Sequence, residues 1–327
     1  MALSDFDLSK AKTLGPEKDG TYKNAMGGTE LMNAALYERV DGSLLEQFNI
    51  IKSRVRHIDS EKKNVLWCHD LWNDPESKHL SDPELRKRFS KIVFVSNWQQ
   101  TTYNMGLGVP YSQSYVMKNA IEPIPSHEKP DPKERVNLIY HTTPHRGLDI
   151  LVSSFSEIAK VLGDSVDIHL DVYSSFEAYG WKERDKPYEV VFDTIKNHPK
   201  MTYHGYKPND VVRKALTQAH IFAYPNIWQE TSCIAAIEAM SAGCEIVCPN
   251  LAALPETTGG WATMYQFSEN NHDHVNVFAN VLYSKILNFS SMNTEIENKL
   301  QHQKNWADYT YNWDRRAAEW TDLLRSL

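Results

Sequence analysis

Two carboxylates eight positions apart, Glu230 and Glu238, stand in a segment otherwise composed for burial, "QETSCIAAIEAMSAG" at 229–243. If both are helical, a rise of 1.5 Å per residue separates them by about 12 Å along the axis. Paired acids that hydrolyse a single bond sit at ~5–9.5 Å, so this spacing points away from a hydrolase. It suits two anchor points on one elongated ligand, with one carboxylate accepting both hydroxyls of a ribose and the other holding a second sugar. The structural alternative is a buried helix in which Glu238 is paired within the fold, because burying a lone carboxylate is expensive.

Three other stretches carry chemistry of a compatible kind. In "TTPHRG" (142–147) a strand ends, Pro144 fixes a turn, and Arg146 stands at the start of the next helix. A guanidinium beside free backbone N–H groups makes a clamp for a diphosphate. "MGGTE" (26–30) sets Gly27 and Gly28 before a helix that Thr29 can cap, and two glycines let the backbone approach an anion. "WCHD" (67–70) delivers His69 and Asp70 to the end of a strand, and Asn97 in "VSNWQQTTY" (95–103) is placed to cap a helix. Other matches carry less. "DFD" (5–7) lacks the apolar strand that a metal-binding DxD needs. "GLG" (106–108) lacks the third glycine of a dinucleotide fingerprint, and "NNHDH" (270–274) reads as a polar loop capping the helix 275–287.

These residues need a scaffold that brings strand ends together, and the chain reads as one. Short apolar runs at 64–68, 91–96, 114–119, 137–142, 167–173, 201–205, 221–225 and 245–249 alternate with helical patterns such as 28–40, 147–163 and 209–219. That alternation predicts parallel sheets with helices on both faces. The segment 122–136, crowded with proline and charge, reads as a linker, giving two α/β domains joined near residue 130. In such sheets ligands gather at the carboxyl ends of the strands, where "TTPHRG", "WCHD" and the Glu230 segment after 221–225 fall and where the "MGGTE" turn can face them.

Composition sets the outer bounds. A length of 327 residues exceeds one comfortable core. The formal net charge of -7 offers no general attraction for polyanions, so nucleic acid is not an expected partner. The sequence shows no apolar run of the ~20 residues that span a bilayer and no signal-peptide pattern, so a cytoplasmic location is expected. Peripheral membrane contact stays open. The four cysteines form no CxxC pair, and neither a disulfide nor a metal site is expected.

Glu230-x7-Glu238 within "PNIWQETSCIAAIEAMSAGCEIVCPN", followed by "ALPETTGG" (253–260), resembles the donor-site signature of glycosyltransferase family 4, the retaining GT-B enzymes. "TTPHRGLDILVSSF", "VSNWQQTTY", "VMKNAIEPIP" and "MGGTE" resemble further segments of that family, and "YNWDRRAAEWTDLLRSL" (311–327) its final helix. The resemblance implies a GT-B fold of two Rossmann-like domains facing a central cleft, the N-terminal one abbreviated. Its domains are an acceptor side at 1–130, a donor side at 131–307 and a returning helix at 308–327. It also implies sugar transfer, with retention, from a nucleoside diphosphate sugar to a glycan or glycoconjugate hydroxyl, with no cofactor and no metal.

Carried onto this chain, the resemblance implies that Glu238 binds the ribose, Glu230 the transferred sugar and Arg146 the diphosphate, with His69 beside the reacting centre. The expected catalytic set is therefore His69, Arg146 and Glu230. The expected donor-binding set is Gly27, Gly28, His141, Arg146, Glu230, Thr231, Ser232 and Glu238. Three departures stand out: His141 where the family places a second basic residue, a polar "GPEKDGTYKNAM" (15–26) where it has an apolar strand, and the short N-terminal half. A non-catalytic nucleotide-sugar-binding subunit and a GT-B sugar-nucleotide epimerase are the alternatives.

Overall fold

The β-branched and aromatic runs fold as strands of two all-parallel sheets in the computed structural model, which describes residues 27–327. The readings of "DFD" and of residues 15–26 fall outside the described residues. The N-terminal half comprises α1 (Gly28–Arg39), α2 (Gly42–Leu45), β1 (Phe48–Lys52), β2 (Lys63–Cys68), α3 (Pro83–Arg86), β3 (Lys91–Phe94), α4 (Asn97–Leu107) and β4 (Ser114–Val116). Its strands lie in the order β1-β2-β3-β4. β1, "FNIIK", was not foreseen; all but Asn49 is buried, Lys52 included.

The C-terminal half runs β5 (Val136–Tyr140), α5 (Leu148–Leu162), β6 (Ile168–Val172), α6 (Glu189–Asn197), β7 (Met201–Tyr203), α7 (Asn209–Leu216) and β8 (Ile221–Ala223). It continues with α8 (Ile234–Ser241), β9 (Glu245–Pro249), α9 (Leu254–Thr258), β10 (Thr263–Tyr265), α10 (Asn271–Ser290), α11 (Thr294–Thr310) and α12 (Trp313–Ser326). The sheet order is β10-β9-β8-β5-β6-β7. The chain thus builds outward from β5 to β7, then returns to pair β8 with the other edge of β5 and builds outward again. This is the strand order of a dinucleotide-binding sheet, whose ligand crevice lies where the direction reverses, outside the carboxyl ends of the two central strands.

Gly147 makes that crevice possible. Its φ is +98°, and a methyl group added there would lie 2.1 Å from the Pro225 carbonyl oxygen, so the chains leaving β5 and β8 touch at this residue. Small side chains act similarly in α8, where Ala236, Ala239 and Ser241 are wholly buried.

Two strands of chain cross between the halves side by side. Ile121 N donates to the Tyr311 carbonyl at 2.6 Å, and Ile121 bridges Asn312. Beyond that crossing α12 lies on the N-terminal half, with Trp320 edge-on to Trp67 at 4.9 Å between ring centres. Among the described residues no helix is long and apolar enough to cross a membrane.

Candidate functional site

Arg146 and Glu230 meet at the reversal point. Arg146 ends the 3-10 turn Pro144–Arg146 that follows β5, and Glu230 lies in the segment after β8. Arg146 Nε is 3.0 Å from Glu230 Oε1, an ion pair without hydrogen-bond alignment, while its Nη1 donates to Thr143 Oγ1 at 3.2 Å. The Tyr224 hydroxyl donates to the same Glu230 oxygen at 2.5 Å. Burial, and after it the Glu230 carboxylate, pushes the Tyr224 phenol well above its ordinary range. Burial works against the Arg146 charge, but Glu230 and the neighbouring phenols outweigh it and hold the guanidinium firmly protonated. A fixed cation and a fixed anion therefore stand side by side at the sheet's crevice.

Two expectations for this segment are corrected. α8 begins only at Ile234, so Glu230 is not helical and the 12 Å axial spacing does not apply. The backbone at 230–231 is bonded elsewhere instead: the Glu230 carbonyl accepts from Ala253 N at 3.1 Å, and the Thr231 carbonyl accepts from Ser96 Oγ at 2.6 Å. Glu238, second, is not a lone acid. Arg213 Nη1 donates to its Oε1 at 2.9 Å, and Asn209 Nδ2 lies 3.2 Å from both oxygens. Burial raises the Glu238 carboxyl while Arg213 and Asn209 oppose that shift. Asn209 and Arg213 are four apart on α7 and so share a face, but no feature of the sequence shows that this face turns toward α8.

Burial disfavours the charged form of the histidines at the strand ends. His141, directly after β5, lies against Phe222 at 4.6 Å between ring centres, and burial pushes it down to about 3. Burial thus disfavours the charged form of this imidazole. His145 stacks on Phe176 at 5.2 Å and meets Trp228 edge-on at 5.0 Å; burial, then the charges of Arg146 and Arg184, lowers it to about 3. His69 follows β2 with its ring 4.7 Å from Trp67, and burial, followed by Lys52, takes it to about 3 as well. His69 Nε2, His141 Nε2, His145 Nδ1 and Ser174 Oγ are buried atoms without a partner among the described residues. All four lie past the carboxyl ends of β2, β5 or β6, where a ligand's polar groups would satisfy them.

Residues of the other half face the same place. A methyl group at Gly27 would lie 2.3 Å from Tyr179 Cε1, and one at Gly28 would lie 3.0 Å from Ile234 at the start of α8. The glycine turn before α1 is therefore pressed against loops of the C-terminal half. Thr231 Oγ1 donates to the His69 carbonyl at 2.9 Å, and Ser232 is half-buried in the same turn. Asn97 does not cap α4; Ser96 does, through an acceptor contact from Gln99 N at 3.0 Å. Asp70 sits 3.6 Å from Arg54, and burial raises its carboxyl.

Residues 137–281, which hold Arg146, Glu230, Glu238 and the reversal point, match the family described as "Glycosyl transferases group 1". The described residues have the GT-B fold. A Rickettsia africae glycosyltransferase is 15% identical, with 90% of this chain and 81% of that one aligned at a TM-score of 0.66. Anabaena HepE, crystallised with UDP and glucose, is 14% identical over 93% of this chain and 97% of its own, also at 0.66. A Burkholderia vietnamiensis α,α-trehalose-phosphate synthase (UDP-forming) is 9% identical over 85% and 74%, at 0.63. No curated protein matches at the level of sequence. Gly27, Gly28 and His69 of the N-terminal half thus face Tyr179, Thr231 and Ile234 of the C-terminal half.

Proposed function

We propose that the protein transfers a sugar from a nucleoside diphosphate sugar to a hydroxyl of a glycan or glycoconjugate, with retention of configuration and without a metal ion. The observation that carries this reading is the Arg146–Glu230 pair at the crevice of a dinucleotide-type sheet. A diphosphate gives Arg146 a stronger anionic partner, and a sugar hydroxyl gives Glu230 a donor in exchange. Glu238, steadied by Arg213 and Asn209, holds the ribose with its remaining lone pairs. Among the described residues, those up to 130 form the acceptor side and 131–307 the donor side, while 308–327, which holds the end of α11 and all of α12, is the returning segment.

Catalysis then rests on stabilising the departing diphosphate with Arg146 and backbone N–H groups while the cleft excludes water. The acceptor oxygen attacks the anomeric carbon on the face from which the diphosphate leaves, and the acceptor's proton passes to the departing phosphate oxygen. No enzymic nucleophile is needed.

A thermal-shift screen across UDP-, GDP- and ADP-sugars tests the donor assignment, with UDP-glucose first because HepE was crystallised with UDP and glucose. One of them should raise the melting temperature, since a ligand that binds only the folded state stabilises it. A flat response to all three classes at millimolar concentration contradicts the reading.

A further inference from the structure

A carboxylate on one half of the molecule closes the N-terminus of a helix on the other. At the start of α4 the Ser96 hydroxyl satisfies Gln99 N, which leaves the amides of Asn97 and Trp98 without an acceptor inside the helix. Glu256, on α9, takes both. Its Oε1 accepts from Asn97 N at 2.9 Å and Asn97 Nδ2 at 2.7 Å, and its Oε2 accepts from Trp98 N at 2.9 Å. A carboxylate on two N-terminal amides is favoured both by charge-assisted hydrogen bonding and by the helix dipole.

The contact does not stand alone. Ala253 N, on the turn leading into α9, donates to the Glu230 carbonyl, so the segment carrying Glu256 and the turn carrying Glu230 move as one. The next residue of that turn is held from the other half twice. Ser96 Oγ donates to the Thr231 carbonyl at 2.6 Å, and Thr231 Oγ1 donates to the His69 carbonyl at 2.9 Å. The carboxyl ends of β2 and β3 thus grip the turn beside Glu230, while Glu256 grips the helix that follows β3.

We propose that Glu256 is a positioning residue, a latch that sets the separation between His69 and the Glu230 turn by fastening α9 to the first turn of α4. Its bonded partners are Asn97 and Trp98, so it acts through the two elements and not on the substrate. The effect on rate rests on the transferase reading given above; the effect on the separation of the halves does not.

The test measures that separation in the full chain. All four native cysteines are buried, so spin labels go on cysteines introduced at exposed Ser112 and Thr194, one on each half. Glu256→Ala should shift the distance distribution to longer values and broaden it. Asn97→Asp should do the same from the other side, because a second carboxylate repels Glu256 yet remains favourable in the first turn of a helix. Asn97 is exposed, so this variant keeps the fold should Glu256→Ala lose it. Distributions that superimpose on the parent's overturn the latch whether or not any substrate is known. With donor and acceptor present, both variants should lower kcat about tenfold or more, the scale of a misplaced reacting group, while donor KM stays close to the parent's. Opened halves with an unchanged kcat would overturn the positioning role. A parent that turns over no donor would count against the transferase reading and leave the distance result intact.

Discussion

Arg146 is the residue on which the proposed chemistry turns, and its environment states what removing it would do. Arg146→Ala leaves Glu230 buried at 7% exposure, with the Tyr224 hydroxyl as its remaining side-chain partner among the described residues. It also removes the cation that a departing diphosphate needs most. Donor affinity and kcat should fall together, with kcat falling further, and initial-rate kinetics against donor concentration checks this. Arg146→Lys should recover part of the affinity and less of the rate, since a single ammonium cannot reproduce a bidentate grip.

The histidines at the strand ends carry a second prediction at this scale. His141 is expected at about 3 in the folded chain and near ~6.5 when unfolded. Between those values the unfolded chain binds the extra proton, so the stability of the neutral ring is fully present above about 6.5 and is lost as pH falls toward 3. Melting temperature should drop across that window, and the drop should shrink in His141→Gln. By the same argument donor affinity from pH 5.5 to 8.5 should superimpose for parent and His141→Gln once the donor's own ionisation is removed. A parent curve that weakens on rising through neutrality, absent in the variant, would show that His141 serves as a cation.

At the scale of elements, the parallel sheets were legible because β-branched runs bounded by helical patterns repeat along the chain, and eight of the ten strands among the described residues fall where those runs lie. β1 and β10 were not. "TMY" is three residues long, and "FNIIK" ends in a lysine whose burial no local pattern announces. The start of α8 was misread because "ETSC" is compatible with a helix, and only contacts from Ser96 and His69 on the other half draw Thr231 away from it. The identity of the acids was legible, but their partners were not, since ion pairs between elements have no fixed spacing in sequence.

Arg213 shows what that omission hides. It donates to Glu238 and also, through Nη2, to the Glu122 carbonyl at 2.6 Å, in the segment between the halves. With Glu238 at 5% exposure, Arg213→Ala strands a buried carboxylate, which should cost about 3 kcal/mol in urea-induced unfolding. Adding Glu238→Ala should return part of that loss, because the uncompensated charge goes with it. Equal stability of parent and single variant would show that the pair is solvated.

At the scale of the molecule, the halves are joined by the paired crossings at Ile121 and Tyr311 and meet again across the cleft at Gly27, Thr231 and Glu256. A GT-B frame of this kind brings two sheets' strand ends to one place, and among the described residues that place holds buried polar atoms without a partner and the Arg146–Glu230 ion pair. The account's central claim is that this cleft moves a sugar from a nucleotide to an acceptor. The most direct measurement is nucleoside diphosphate release from UDP-, GDP- and ADP-sugars with a panel of glycan acceptors in excess EDTA, with acceptor products followed by mass spectrometry. The account predicts that one donor yields its diphosphate, that an acceptor gains the mass of one sugar residue, and that Arg146→Ala abolishes both. Conversion of the donor to an isomeric sugar nucleotide without acceptor, or transfer that vanishes in EDTA and returns with Mg²⁺ or Mn²⁺, would contradict it.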